Sequence, residues 1–134
     1  MAWIDDKWVD TSREFVVLKG QTLTKCWAST GDDELHFVTT DGKHYLLYHS
    51  QDCCESVTIE SIVGNLDDLI DEPLLIAEEV ANGPIPENHD SSDYDSETWT
   101  FYKLATRKGY VDIRWFGTSN GYYSESVDFE EVFE

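Results

Sequence analysis

Between His44 and Tyr102 the chain contains no lysine and no arginine, although fourteen aspartates and glutamates fall in the same stretch. Only nine basic residues are present in all, against 28 acidic ones, which leaves a formal net charge of −19. Proteins that grip duplex DNA neutralise phosphates with Lys and Arg, so this poverty excludes direct nucleic-acid binding and adhesion to an anionic membrane. It favours basic partners instead. No apolar run approaches the ~20 residues that a membrane helix needs. The opening "MAWIDDKWVD" lacks the basic and apolar regions of an export signal, so a soluble cytoplasmic protein is expected.

Cysteine is scarce too, with three in 134 residues, and Cys53 and Cys54 are neighbours. An odd count with an adjacent pair argues against a disulfide framework, so reduced thiols and no bridges are expected. The chain also lacks a glycine-rich phosphate loop, a serine nucleophile elbow and a spaced cysteine pair, and with them the signatures of the common enzyme classes. The expectation is a protein that is not an enzyme and that needs no cofactor or metal.

Aromatic residues are plentiful: five Trp, seven Tyr and six Phe, within 40% apolar content. A single domain of this length buries roughly two thirds of its unfolded surface. "ELHFVTTDGKHYLLYHS" reads as a hairpin over about 33 to 40 and 43 to 49, turning at Asp41-Gly42. Both alternating sets of its second strand are half apolar, which places that strand inside the sheet. Phe15 to Leu18 and Thr22 to Ser29 suggest two earlier strands around the turn signal "KGQT". "TWTFYKLATRKGYVDIRWFG" forms a second hairpin near Lys108-Gly109, with a period of two in Val111, Ile113 and Trp115.

"VTIESIVGNLDDLI" is ambiguous, and a short helix is placed at 65 to 71, capped by Asn65 with Asp67 and Asp68 in its first turn. "PLLIAEEVA" reads as a strand, with a helix as the second option. Residues 82 to 97 read as a mobile acidic loop. "TSNGYYSESVDFEEV" opens on Asn120-Gly121 and ends in a strand with Tyr123, Val127 and Phe129. The expected fold is α+β: a mainly antiparallel β-sheet of six to eight strands with one or two short helices on one face, a curved half-barrel remaining open.

"YHSQDCCESV" at 48 to 57 gathers imidazole, amide, carboxylates and thiols. His49, Asp52, Cys53, Cys54 and Glu55 carry metal-ligand atoms, with His36, His44 or Cys26 able to add another. Adjacent cysteines on an extended chain point to opposite sides, however, and cannot easily hold one ion. Asp52 and Glu55 would also keep a thiol protonated, which disfavours cysteine catalysis. A metal-assisted hydrolase using His49, Asp52 and Glu55 is the weakest reading. The plainest one makes this stretch the end of a strand, with one Cys buried and His49, Gln51 and Asp52 bonding the backbone.

"YHSQDCCESVTIESIVGNLDDLI", "TWTFYKLATRKGYVDIRW" and "GTSNGYYSESVDF" together resemble a family of small acidic proteins encoded by bacteriophages and scattered bacterial genomes, catalogued as a domain of unknown function. The resemblance spans roughly residues 17 to 132. It implies a phage or prophage accessory protein acting inside an infected bacterial cell, and it supplies no catalytic residues.

Two binding functions follow as expectations. In the first, a phage counter-defence inhibitor of anti-CRISPR type docks on a basic nucleic-acid-handling host protein or nucleoprotein complex through a DNA-mimicking surface. Its candidate residues are Asp67, Asp68, Asp71, Glu72, Glu78, Glu79, Glu87, Asp90, Asp93 and Asp95. In the second, the protein sequesters a nucleotide second messenger, with His49, Gln51, Asp52, Glu55, Asn120, Tyr122 and Tyr123 as ligand contacts where the two strand ends converge. A phosphorylated ligand needs cations, and only Lys103, Arg107, Lys108 and Arg114 lie in the C-terminal half. An edge strand leaves homodimer formation open.

Overall fold

The computed structural model describes residues 2–4, 7–9, 11–49, 54–81, 96–119 and 125–133. Ten strands are present among them: β1 (Ala2–Ile4), β2 (Lys7–Val9), β3 (Leu23–Trp27), β4 (Glu34–Thr39), β5 (His44–Tyr48), β6 (Ser56–Val63), β7 (Ile76–Ala81), β8 (Ser96–Thr106), β9 (Gly109–Ser119) and β10 (Asp128–Val132). All pairings are antiparallel. β1 and β2 form a hairpin, and the other strands make two sheets, ordered β10-β5-β4-β3 and β6-β9-β8-β7.

The two sheets enclose one core. Leu35, Phe37, Tyr45, Leu47 and Phe129 from the first meet Val57, Ile59, Tyr102, Leu104, Val111, Ile113 and Trp115 from the second. Each set follows the period of two along its strand, which is why the alternation in the sequence marks the buried face. β5 is an interior strand, as its half-apolar pattern requires, and β9 lies inside the second sheet.

The helical half of the α+β expectation is corrected. Among the described residues there is no α-helix, only two four-residue 3-10 turns, Phe15–Leu18 and Leu66–Leu69. At Leu66–Leu69 the expected cap is present, the Asn65 side chain accepting from the Asp67 N–H at 2.9 Å, but a chain that must return at once to β7 stops after one turn. Phe15–Leu18, expected as a strand, is a 3-10 turn because Phe15 and Leu18 must face the core together, and a spacing of three serves that where a period of two does not. The ambiguous stretch at 57–63 lies in strand β6, and "PLLIAEEVA" contributes strand β7. Ser96 and Glu97, assigned to a loop, begin β8; residues 82–95 and Asn120-Gly121 lie outside the described residues.

The expectation of no bridges is also corrected: Cys54 is disulfide-bonded. Cys26 is a free thiol packed against the core. No helix among the described residues is long and apolar enough to cross a membrane.

Three of the four sheet edges are covered. Thr11–Arg13 straps β10, with Arg13 N–H to Phe129 O at 2.9 Å and Glu131 N–H to Thr11 O at 3.0 Å. Ile59 at the centre of β6 exchanges hydrogen bonds with Gly31 and Asp32, both 2.8 Å, and Leu23 in β3 accepts from Asp71 N–H at 2.9 Å. Among the described residues nothing pairs with the outer edge of β7 from Ile76 to Val80.

Candidate functional site

That edge, unpaired among the described residues, borders a cleft of about 590 Å³ between β7 and β10. Its floor is apolar. Phe15, held inward by the first 3-10 turn, packs on Phe129 at 5.3 Å and on Tyr102 at 4.8 Å between ring centroids. Ala77 and Glu79 occupy alternate positions of β7, so both face the cleft side, and Glu79 accepts the Tyr102 hydroxyl at 2.7 Å. Glu14 and Asp128 also line it, and Glu78, alternating with Glu79 and so turned to the other face of β7, borders it, which makes four acidic residues around the cleft. The cleft's one cation, Arg13, is engaged with Glu131 at 3.4 Å and with the Ser12 carbonyl at 2.8 Å. The result is an open, acid-walled groove with an apolar base and an unfilled strand edge beside it.

The acids named from the sequence divide between two places. Glu78 and Glu79 border this cleft. Asp67 and Asp71 line a second opening of about 500 Å³ together with Lys25 and Lys108. Asp68 lies against Gly109, its carboxylate 2.9 Å from where a Cβ would sit there, and Glu72 pairs with Arg107 at 2.7 Å. Glu87, Asp90, Asp93 and Asp95 lie outside the described residues.

Of the alternative ligand set, His49 and Glu55 are described. His49 and Glu55 pair at 3.2 Å with side chains 3% and 0% exposed, and His49 Nδ1–H donates to the Ser126 carbonyl at 2.7 Å. Next to them Glu125, buried, accepts from Thr98 Oγ1 at 2.9 Å and from the Ser119 hydroxyl. Gly117 makes room for it, since a Cβ there would stand 2.9 Å from Glu125. A carbonyl only accepts, so the His49 Nδ1 carries hydrogen, while Nε2, 3.2 Å from Glu55 Oε2, makes no hydrogen bond among the described residues. This cluster ties the 125–127 segment to the ends of β6 and β9, and supplies carboxylates rather than phosphate-binding donors. Gln51, Asp52, Asn120, Tyr122 and Tyr123 lie outside the described residues.

A family model described as a domain of unknown function (DUF7448) matches residues 11–129. The chain belongs to that family. No curated protein and no solved structure matches it. The DUF7448 span opens at the strap residue Thr11 and closes at Phe129 in β10, so it contains both sheets' cores and every residue that lines the acidic cleft.

Sequence reasoning missed Glu14, Asp128, Glu125 and Ser126. Glu14 and Asp128 each precede a core phenylalanine, Phe15 and Phe129, and those two rings touch. That adjacency of an acid and an anchor was the available signal. Among the described residues no three His, Cys, Asp or Glu side chains are grouped to hold a metal ion.

Proposed function

We propose that the protein is a binding domain without catalytic activity that docks a basic protein segment in the acidic cleft, laid along the free edge of β7. The observation that carries this reading is the cleft itself: four acidic residues around it, one already committed arginine, an apolar base and a strand edge that is unpaired among the described residues. A strand added to β7 gains main-chain hydrogen bonds, and its alternate side chains would face Glu79 and Asp128. A cationic segment is favoured over a second copy of this chain, because pairing β7 with itself would bring Glu78 and Glu79 against their own counterparts in a molecule of net charge −19.

In its full form the reading is of a bacteriophage or prophage product that blocks a nucleic-acid-handling host complex in the bacterial cytoplasm. Duplex DNA presents one charge per ~1.7 Å of axis, and an acidic surface can fill the groove that accepts it. The charge supports the docking; the phage origin rests on the sequence resemblance. Sequestration of a nucleotide is the weaker reading, because Arg107 and Arg114 are engaged by Glu72 at 2.7 Å and Glu60 at 2.5 Å.

The test is calorimetric titration with an extended peptide of alternating arginine and valine, at rising salt. One-to-one binding that weakens steeply with salt and is lost in a Glu14→Gln, Glu78→Gln, Asp128→Asn variant supports the proposal. Absence of binding at low salt, or binding equal in parent and variant, removes it. Capture from host lysate followed by mass spectrometry would then name the partner.

A further inference from the structure

The outer face of the first sheet carries a cluster that the docking function leaves unused. Its rows follow from the register: Trp27 opposite His36 on β3 and β4, and Val38 opposite His44 on β4 and β5, which sets the two histidines diagonally on one face. Their rings meet, His36 Nδ1 lying 2.9 Å from His44 Nε2. The other nitrogen of His36, Nε2, lies 3.0 Å from Glu34 Oε2. Trp27 stacks flat on His36, with centroids 4.6 Å apart and planes within 2°.

The protons of this cluster follow from its donors and acceptors. An ionised Glu34 only accepts, so His36 carries hydrogen on Nε2, and in the neutral ring its Nδ1 is a bare lone pair. The hydrogen between the rings therefore belongs to His44 Nε2. Moving that hydrogen to His44 Nδ1 would leave two lone pairs 2.9 Å apart, with no net proton released. A carboxylate on the far nitrogen and a stacked indole fix the orientation of His36, the support that metal-binding imidazoles usually have.

We propose that His36 Nδ1 and His44 Nε2 form a two-point chelate for a divalent transition-metal ion of square-planar or octahedral preference, with water in the remaining positions. Two nitrogens each about 2.05 Å from one ion stand about 2.9 Å apart at a right angle and about 3.3 Å apart at the tetrahedral angle. The observed 2.9 Å is the spacing of the hydrogen bond and sets both nitrogens within reach of one ion, and the affinity order of nitrogen sites places Cu²⁺ above Ni²⁺ and Zn²⁺. With His36 held by Glu34 and Trp27, it is the His44 ring that turns, so that the ion takes the place of the hydrogen between the rings and meets both lone pairs. The strongly anionic molecule concentrates cations around the site.

The experiment is titration of the whole protein with Cu²⁺, Ni²⁺ and Zn²⁺ by calorimetry, together with the electron paramagnetic resonance spectrum of the copper form. One equivalent of Cu²⁺ is expected, bound more tightly than Zn²⁺, with couplings from two imidazole nitrogens. His36→Gln or His44→Gln should weaken it by at least tenfold, and Glu34→Gln, which leaves both ligands in place, by about tenfold. Circular dichroism checks that the variants fold, and the parent spectrum stands independently of them. Unchanged affinity in both histidine variants, a copper spectrum without two imidazole nitrogens, or Zn²⁺ bound more tightly than Cu²⁺ overturns the assignment.

Discussion

The Tyr102 hydroxyl donates to Glu79 at 2.7 Å, joining a wholly buried ring to an exposed carboxylate on the neighbouring strand. Burial first, and the hydrogen bond to Glu79 second, push the Tyr102 hydroxyl far above its ordinary pKa, so it remains a donor throughout the accessible pH range. The two ends of this bond are unequal. Removing the hydroxyl in Tyr102→Phe leaves a carboxylate that water can solvate, a loss of about 1 kcal/mol. Removing the acceptor in Glu79→Ala leaves a polar group stranded in the core, which costs about 1–3 kcal/mol. Urea unfolding should therefore find Glu79→Ala the less stable variant. Tyr102→Phe also keeps the cleft charge intact, so peptide binding should survive it.

Gly64 and Gly42 separate backbone conformation from space. Both have positive φ, +106° and +85°, where a side chain is strained. A Cβ on Gly42 would meet nothing within 4 Å, whereas on Gly64 it would clash with the Tyr110 carbonyl oxygen, a backbone atom that cannot swing away. Gly42→Ala should cost about 1 kcal/mol. Gly64→Ala adds displacement of β9 against β6 and should cost at least about 2–3 kcal/mol. Equal melting temperatures for the two variants would contradict this account.

Much of this architecture was legible beforehand, and the physical reason is local. Strands β4, β5 and β9 announce themselves by alternation, and Asp41-Gly42 supplies the φ of +85° that its turn requires. From that hairpin the His36 and His44 contact was within reach, since an even spacing across a tight turn puts both on one face. What was hidden depends on distant partners. Phe15–Leu18 resembles a strand until Tyr102 and Phe129 are known to close on Phe15. Asp67 through Glu79 form one acidic run in sequence, yet Asp67 and Asp71 fall beside Lys25 and Lys108 while Glu78 and Glu79 join Asp128 across the gap between sheets. Only tertiary packing decides which acids are neighbours.

Cys26 should resist modification. Its thiol is pushed up to about 12, chiefly by burial and further by the Asp67 charge, so the nucleophilic thiolate is nearly absent at neutral pH. Iodoacetamide applied to native protein at pH 7.5, followed by peptide mass spectrometry, should leave Cys26 unlabelled, and unfolding in urea should expose it. Rapid native labelling would show that β3 opens readily along its edge.

Glu130 sets a sign for the acid response. Burial opposes its ionisation, but hydrogen bonds and charge, among them the bonds from the Tyr48 hydroxyl and from Thr11 Oγ1 at 2.9 Å, outweigh that and hold its carboxyl below the ordinary value of 4.5. A group with a depressed folded-state pKa contributes stability that is fully present above its unfolded pKa and lost as pH falls through the folded one. The parent should thus melt above Glu130→Gln at pH 7, with the gap unchanged down to about pH 5 and closing below the ordinary carboxylate range. Protonation of the other acids relieves repulsion in a chain of net charge −19 and works in the opposite direction, so the difference between the two proteins is the quantity to follow. Melting temperatures for both at pH 7, 5, 4 and 3 measure it, and a gap that widens toward pH 3 would reverse the assigned sign.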